Sequence, residues 1–395
     1  MKTKITDVTI YDGVGKKLEN TEILFDESGI LAIGQEAEAQ DADMKIDGSG
    51  YTCLPGLIDA HVHLNSDGEP DSMKQKAEDN EATGALRALV NSNKHIQAGV
   101  VTVRNAGSKY NIDISLRNAI NEGIVKGPRI LASGYPIVMT GGHCHSWAME
   151  ADGVDEVRKA ARKQLKAGAD FLKFMATGGG LTPGVKSGAS QLSKEEMKAG
   201  CQEAENTGRT TAAHAQGNEG IKNAIRAGIT TIEHGVELDD EAIELMLENG
   251  TYLVATLAAP HNIVKHGVEA GIPEYAVQKN KEAIVPHQAS FQKAYSAGVK
   301  IAAGTDAGTP FNYHGDFATE LELMAKLGMS IREVITAATY TAAEALRIEK
   351  ETGSLEVGKC SDLILLKGDP EEDISAFRKV EYVFRNGNLM FKSSI

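Results

Sequence analysis

Residues 54–63 read Leu-Pro-Gly-Leu-Ile-Asp-Ala-His-Val-His. The run is apolar, too short for a typical helix, and ends on two histidines spaced i, i+2. In a strand such side chains point to the same side, so His61 and His63 can reach one ion together. The stretch also marks a change of character. Before it, residues 4–11, 21–25, 29–33 and 44–47 read as short strands with no long helical pattern. After it, short runs rich in Val, Ile, Thr or Leu alternate with amphipathic segments. The runs are 100–104, 129–133, 171–175, 210–214, 230–234, 252–257 and 300–304, and 54–61 makes eight.

The segments between them, such as 81–98, 154–167, 194–207, 219–227 and 239–248, read as helices. Many stop at a glycine, among them Gly168 and Gly228, which accepts the left-handed conformation that ends a helix. Strands alternating with helices argue for a parallel sheet, and eight such units argue for an α/β fold of the closed (β/α)8 (TIM) barrel type. Helical patterns continue at 330–338 and 341–346. The tail then returns to strands at 362–366, 380–385 and 388–391, with Asn386-Gly387 as a hairpin turn. Residues 1–55 and 353–395 are therefore expected to pair into one small β-sandwich domain, with the barrel, 56–352, inserted between them.

Composition narrows the function classes. The 395 residues are 42% hydrophobic and 24% charged, which fits a globular chain and excludes a disordered one. Net charge is −14 and no Lys/Arg block stands out, so no nucleic-acid or membrane partner is expected. No run of 18 apolar residues is present. Asp7 and Asp12 interrupt the apolar residues near the N-terminus, so no signal peptide is expected. Cys53, Cys144, Cys201 and Cys360 are scattered, as in a reducing compartment, and a soluble cytoplasmic protein follows.

Several of the runs end in a residue that can bind metal: His61 and His63 on the first, His214 on the fifth, His234 on the sixth and Asp306 after the eighth. Lys173 lies within the fourth. Barrel active sites gather at the C-terminal ends of strands, so these six residues would share one mouth. Singly, each has a plainer reading: a core histidine, a snorkelling lysine, an aspartate capping a turn. Independent core residues have no reason to fall together at strand ends.

This arrangement resembles the amidohydrolase superfamily. The matching pieces are 54–63, Thr231-Ile-Glu-His234-Gly, Gly304-Thr-Asp306-Ala-Gly and the closing 353–363. More narrowly, Thr140-Gly-Gly-His143, the glycines from Gly178 and His214-Ala make it similar to the imidazolonepropionase-related and Xaa-Pro dipeptidase-like branch. The resemblance implies two divalent metal ions, zinc first, with Mn2+ or Fe2+ as alternatives. His61, His63 and Asp306 would hold one, His214 and His234 the other, and Lys173, carboxylated by CO2, would bridge them. A metal-activated bridging hydroxide would attack an amide carbonyl, with Asp306 as general base and acid. His143 would hydrogen-bond the substrate carbonyl. Trp147, Tyr313 and His314 are candidate substrate contacts, and Cys144 and His145 share the His143 loop.

Two positions depart from the family pattern: Asn105 where relatives often have Asp, and Gln216 where some dipeptidase-like relatives have Tyr. The implied substrate is a dipeptide or N-acyl amino acid. A cyclic amide or imidazolone is the alternative, and a non-catalytic scaffold on the same fold is a third reading. The family often assembles, so a homo-oligomer is compatible with the sequence.

Overall fold

The computed structural model describes residues 1–394. Seventeen strands run along them. The first five are β1 (Thr3–Tyr11), β2 (Lys17–Asp26), β3 (Gly29–Ile33), β4 (Met44–Asp47) and β5 (Tyr51–Pro55). The next nine are β6 (Leu57–Val62), β7 (Val100–Asn105), β8 (Arg129–Ala132), β9 (Ile137–Val138), β10 (Met149–Glu150), β11 (Phe171–Met175), β12 (Thr210–Ala215), β13 (Thr231–His234) and β14 (Tyr252–Val254). The last three are β15 (Leu363–Lys367), β16 (Val380–Arg385) and β17 (Asn388–Lys392).

The chain divides into two compact units. One comprises residues up to Asp59, Asn93–Thr102 and Gly315 onward. The other comprises Ala60–Ser92 and Val103–His314. The terminal unit thus takes in 93–102 and 315–352, which the sequence reading assigns to the barrel. Its hydrogen bonds explain this: Ile58 N–H donates to Ala338 O at 2.8 Å, and Arg378 pairs with Asp316 and Glu322 at 2.7 and 2.8 Å.

In the terminal unit, eight strands form one hydrogen-bonded sheet in the order β17-β16-β15-β5-β1-β2-β3, with β4 added beside β1. Leu363 pairs with Pro55 and Lys367 with Tyr51, so strands from the two ends of the chain are antiparallel neighbours. Laid flat, this order would hold β16 and β2 about 19 Å apart, four strand spacings. The Phe25 and Phe384 rings instead meet edge-on at 5.0 Å. The sheet therefore curls over its own core, built of Ile5, Ile23, Phe25, Cys53, Leu365 and Phe384. Asn386 and Gly387 both have positive φ (48° and 72°), the turn geometry that joins β16 to β17.

The other unit carries parallel strands. β11-β12-β13-β14 pair in register as neighbours, and β6-β7-β8 form a second group, of which β6 from Ala60, β7 from Val103 and all of β8 belong to this unit. Single backbone bonds link the groups: Asp170 N–H donates to Ala132 O, Ala302 N–H to Leu253 O, and Ala60 N–H to Ala303 O. The eighth expected run, 300–304, is a correction. It contributes one bridge, Leu253 to Ile301, and these bonds, but no continuous strand. Amphipathic helices stand between the strands, among them Gly153–Ala167 and Asn218–Ala227, each closed by a left-handed glycine as expected. Among the described residues, no helix is long and apolar enough to cross a membrane.

Candidate active site

The six metal-capable residues converge. His61 is the last residue but one of β6 with His63 just beyond the strand, Lys173 lies in β11, His214 in β12, and His234 ends β13. Asp306 follows the 300–304 run. All six are buried and line one cavity, whose empty volume is ≈ 730 Å³ with its open mouth included. The His61 ring centroid lies 5.4 Å from that of His63 and 5.3 Å from that of His234; His234 and His214 are 4.6 Å apart. His63 Nε2 and His61 Nε2 approach Asp306 Oδ1 at 3.3 and 3.5 Å. Among the described residues, His61, His234 and Asp306 form a group of possible ligands, with one atom from each within 4.8 Å of the others. This triad draws on both expected ligand sets.

Each imidazole is tied back through one nitrogen. His61 Nδ1 meets Glu233 Oε2 at 2.6 Å, and His63 Nδ1 meets Gly107 O at 3.4 Å. His234 Nδ1 lies 2.7 Å from Thr256 Oγ1, which itself donates to Ala255 O at 2.6 Å and so accepts from the ring. His214 Nε2 faces Gly178 O at 3.4 Å. A ring that donates from one nitrogen presents a lone pair on the other, which is the state a metal ligand needs. Burial, and secondarily the neighbouring cations and imidazoles, holds the pKa of all four histidines well below the usual value, so the rings are neutral.

The remaining two groups make no hydrogen bond through the atoms that face the site. Lys173 Nζ and Asp306 Oδ1 are buried without a hydrogen bond. Burial lowers the Lys173 ammonium to about 8 and raises the Asp306 carboxyl to about 7. A buried polar group left unpaired is costly. Four neutral nitrogen donors around an orphaned carboxylate and a readily deprotonated amine fit a divalent-metal centre.

His234, Thr256 and Asp306 all have positive φ, at 72°, 56° and 59°. Such strain in residues other than glycine persists where packing over-determines it, and it clusters at functional sites.

Other expected residues divide. His143 and Trp147 line the cavity. His143 Nδ1 lies 2.8 Å from Thr182 Oγ1, which also accepts from Cys144 N–H at 3.1 Å. Burial drives the His143 pKa down to about 3. Tyr313 and His314 are corrections: neither lines the cavity. Tyr313 is 49% exposed, and His314 Nε2 is spent on Ser66 O at 2.8 Å. The Asn105 side chain is structural, donating to Gly107 O and Asp113 and accepting from Leu64 N–H. Gln216 does line the cavity.

Sequence reasoning missed Glu233, Arg104, Lys76 and His287. Arg104 and Glu233 are fully buried and paired at 2.7 Å; Arg104 also donates to Ala60 O and Thr231 Oγ1. Both are lone charges inside apolar runs, the signal that could have matched them. Lys76 and His287 come from helices beyond the strands and line the same cavity.

The amidohydrolase family model matches residues 52–390. Ochratoxinase of Aspergillus niger is 30% identical over 96% of this chain and 85% of its own length. Imidazolonepropionase of Micrococcus luteus is 24% identical over 92% of both chains. A solved Xaa-Pro dipeptidase with methionine bound in its active site is 35% identical, with a TM-score of 0.91 over 100% of both chains.

Proposed function

Since the chain belongs to the amidohydrolase family, we propose that it is a cytoplasmic, binuclear metal-dependent hydrolase that cleaves the amide C–N bond of a dipeptide or N-acyl amino acid. The observation that carries this reading is the pair of buried groups without hydrogen bonds, Lys173 Nζ and Asp306 Oδ1, set among four neutral imidazoles that are each tied back through one nitrogen. In this reading His61, His63, His214, His234, Asp306 and a carboxylated Lys173 hold two divalent ions, zinc first. It also takes the parallel strands as a closed (β/α)8 barrel and the curled terminal sheet as a small β-sandwich.

The ions, when bound, supply a Lewis acid for the carbonyl and an activated water at neutral pH. The chain supplies the rest. Lys173 must lose its proton to take up CO2, and burial brings that within reach of neutral pH. Asp306, raised toward neutrality, can accept a proton and pass it to the leaving amine. The Thr182 hydroxyl, accepting from Cys144 N–H, has its own proton to give to His143 Nδ1. That leaves the His143 Nε2 proton for a carbonyl oxygen as charge develops on it. Met73, Met175, Leu181 and Ile263 give the cavity an apolar wall that excludes water.

The test is a screen of dipeptides and N-acyl amino acids with zinc-loaded protein, beside metal analysis. Amine release from at least one of them, and about two ions per chain, are expected. Metal content well below one ion per chain would sink the binuclear reading. Hydrolysis confined to cyclic amides or imidazolones would replace the substrate class.

A further inference from the structure

Lys76 lies on the helix Ser72–Glu78, which follows the His61–His63 strand. It is only 4% exposed and lines the cavity. Its Nζ sits 4.5 Å from the Trp147 ring centroid. Among the described residues no carboxylate pairs with it, and Asp306, which acts on it through space, belongs to the cavity lining. A buried ammonium carries a large desolvation cost unless a counter-charge joins it, and an aromatic face offsets only part of that. Two lysines line the cavity, and the metal reading uses Lys173. The histidines there that the metal reading uses are neutral. Burial lowers the Lys76 ammonium to about 8, as it does Lys173, so near pH 7 Lys76 still carries most of its charge and is the cation that the metal reading leaves over.

We propose that Lys76, seated on Trp147, is the binding site for the carboxylate of the amino acid that leaves on hydrolysis, and so selects substrates with a free carboxylate next to the scissile amide. This rests on the amide-hydrolase reading above. The spacing suits it. The Trp147 ring also lies 5.6 Å from the His63 ring, so Lys76 Nζ is within about 10 Å of that ring. In a dipeptide the terminal carboxyl carbon is about 3–4 Å from the scissile carbonyl carbon. A charge-assisted hydrogen bond of about 2.8 Å at one end and the ligand shell at the other fill the remainder.

Calorimetric binding of L-phenylalanine and L-phenylalaninamide to the zinc-loaded protein tests it, since neither contains the amide of an N-acyl amino acid. The acid should bind about tenfold more tightly than the amide in the unmodified protein. Lys76→Met should abolish that preference by weakening the acid alone, and Lys76→Arg should restore part of it. Matching urea midpoints would show that both variants fold. An unmodified protein without the preference, or a Lys76→Met protein that keeps it, overturns the proposal. If the preference vanishes in Lys76→Met while no dipeptide or N-acyl amino acid is cleaved, the hydrolase reading fails and the carboxylate site stands.

Discussion

Arg104 and Glu233 form an ion pair at 2.7 Å with neither side chain exposed, and the second Glu233 oxygen holds His61 Nδ1 at 2.6 Å. One buried carboxylate thus answers a buried cation and orients an imidazole. Glu233→Gln keeps the volume but removes the charge and frees the ring. Metal affinity should fall about 10- to 100-fold, read from the metal retained against a chelator series. Arg104→Met strands the carboxylate and should lower stability by about 3–5 kcal/mol in urea unfolding. Unchanged retention and stability would remove this role from the pair.

Lys173 and His143 should separate metal binding from chemistry. Lys173→Ala removes the bridging group and should leave less than half the metal of the unmodified protein. His143→Ala should keep its metal and lose about 10²–10³-fold in kcat. An active, fully loaded Lys173→Ala protein would refute the bridge. An unchanged kcat in His143→Ala would refute the oxyanion contact.

Gly179 allows no side chain. A Cβ there would lie 2.5 Å from both His143 Cε1 and Nε2, and 2.8 Å from His214 Cε1. Gly179→Ala must push both rings aside. Misplacement on the scale of an ångström costs about 10²-fold, so kcat/KM should fall by that order with little change in urea midpoint. Full activity in this variant would show that the rings are not held in working positions.

The metal-free protein should be acid-labile. Burial lowers the pKa of His61, His63, His143, His214, His234 and His287 in the fold. Unfolded, these rings take up protons as pH falls through about 6.5, while the folded protein resists. Their contribution is present above that pH and is lost below it, at up to about 1.4 kcal/mol per pH unit for each ring. Asp306 and Asp113, raised to about 7 and 6, act in the opposite sense and offset part of the loss. Urea midpoints at about pH 7.5, 6.5 and 5.5 should step down. A flat or rising series would contradict the depressed histidines.

The convergence of the six residues on one cavity was legible because strand periodicity is local. His61 and His63 two apart, and His214 and His234 near run ends, declare a shared face without knowledge of the tertiary structure. Loop and helix residues carry no such rule. Lys76 was invisible because its segment, 64–80, has no clear period, and Tyr313 and His314 misled because closeness to Asp306 in sequence does not aim a loop side chain inward. The Arg104–Glu233 pair needed a partner 129 positions away. The terminal sheet was half legible. Its strands could be read, but which neighbours they take, and how far the sheet curls, depend on long-range packing.

The pairing of β5 with β15 has a consequence for how the chain is made. Tyr51–Pro55 finds its neighbour only when Leu363–Lys367 has been synthesised. At about 5–20 residues per second, the intervening roughly 300 residues take on the order of 15–60 seconds to emerge. Throughout that interval one edge of β5 has no strand beside it, and its buried apolar residues, Cys53 and Leu54 among them, await their cover. For that interval the nascent sheet is incomplete, and the strand that closes this edge of β5 follows only after those roughly 300 residues.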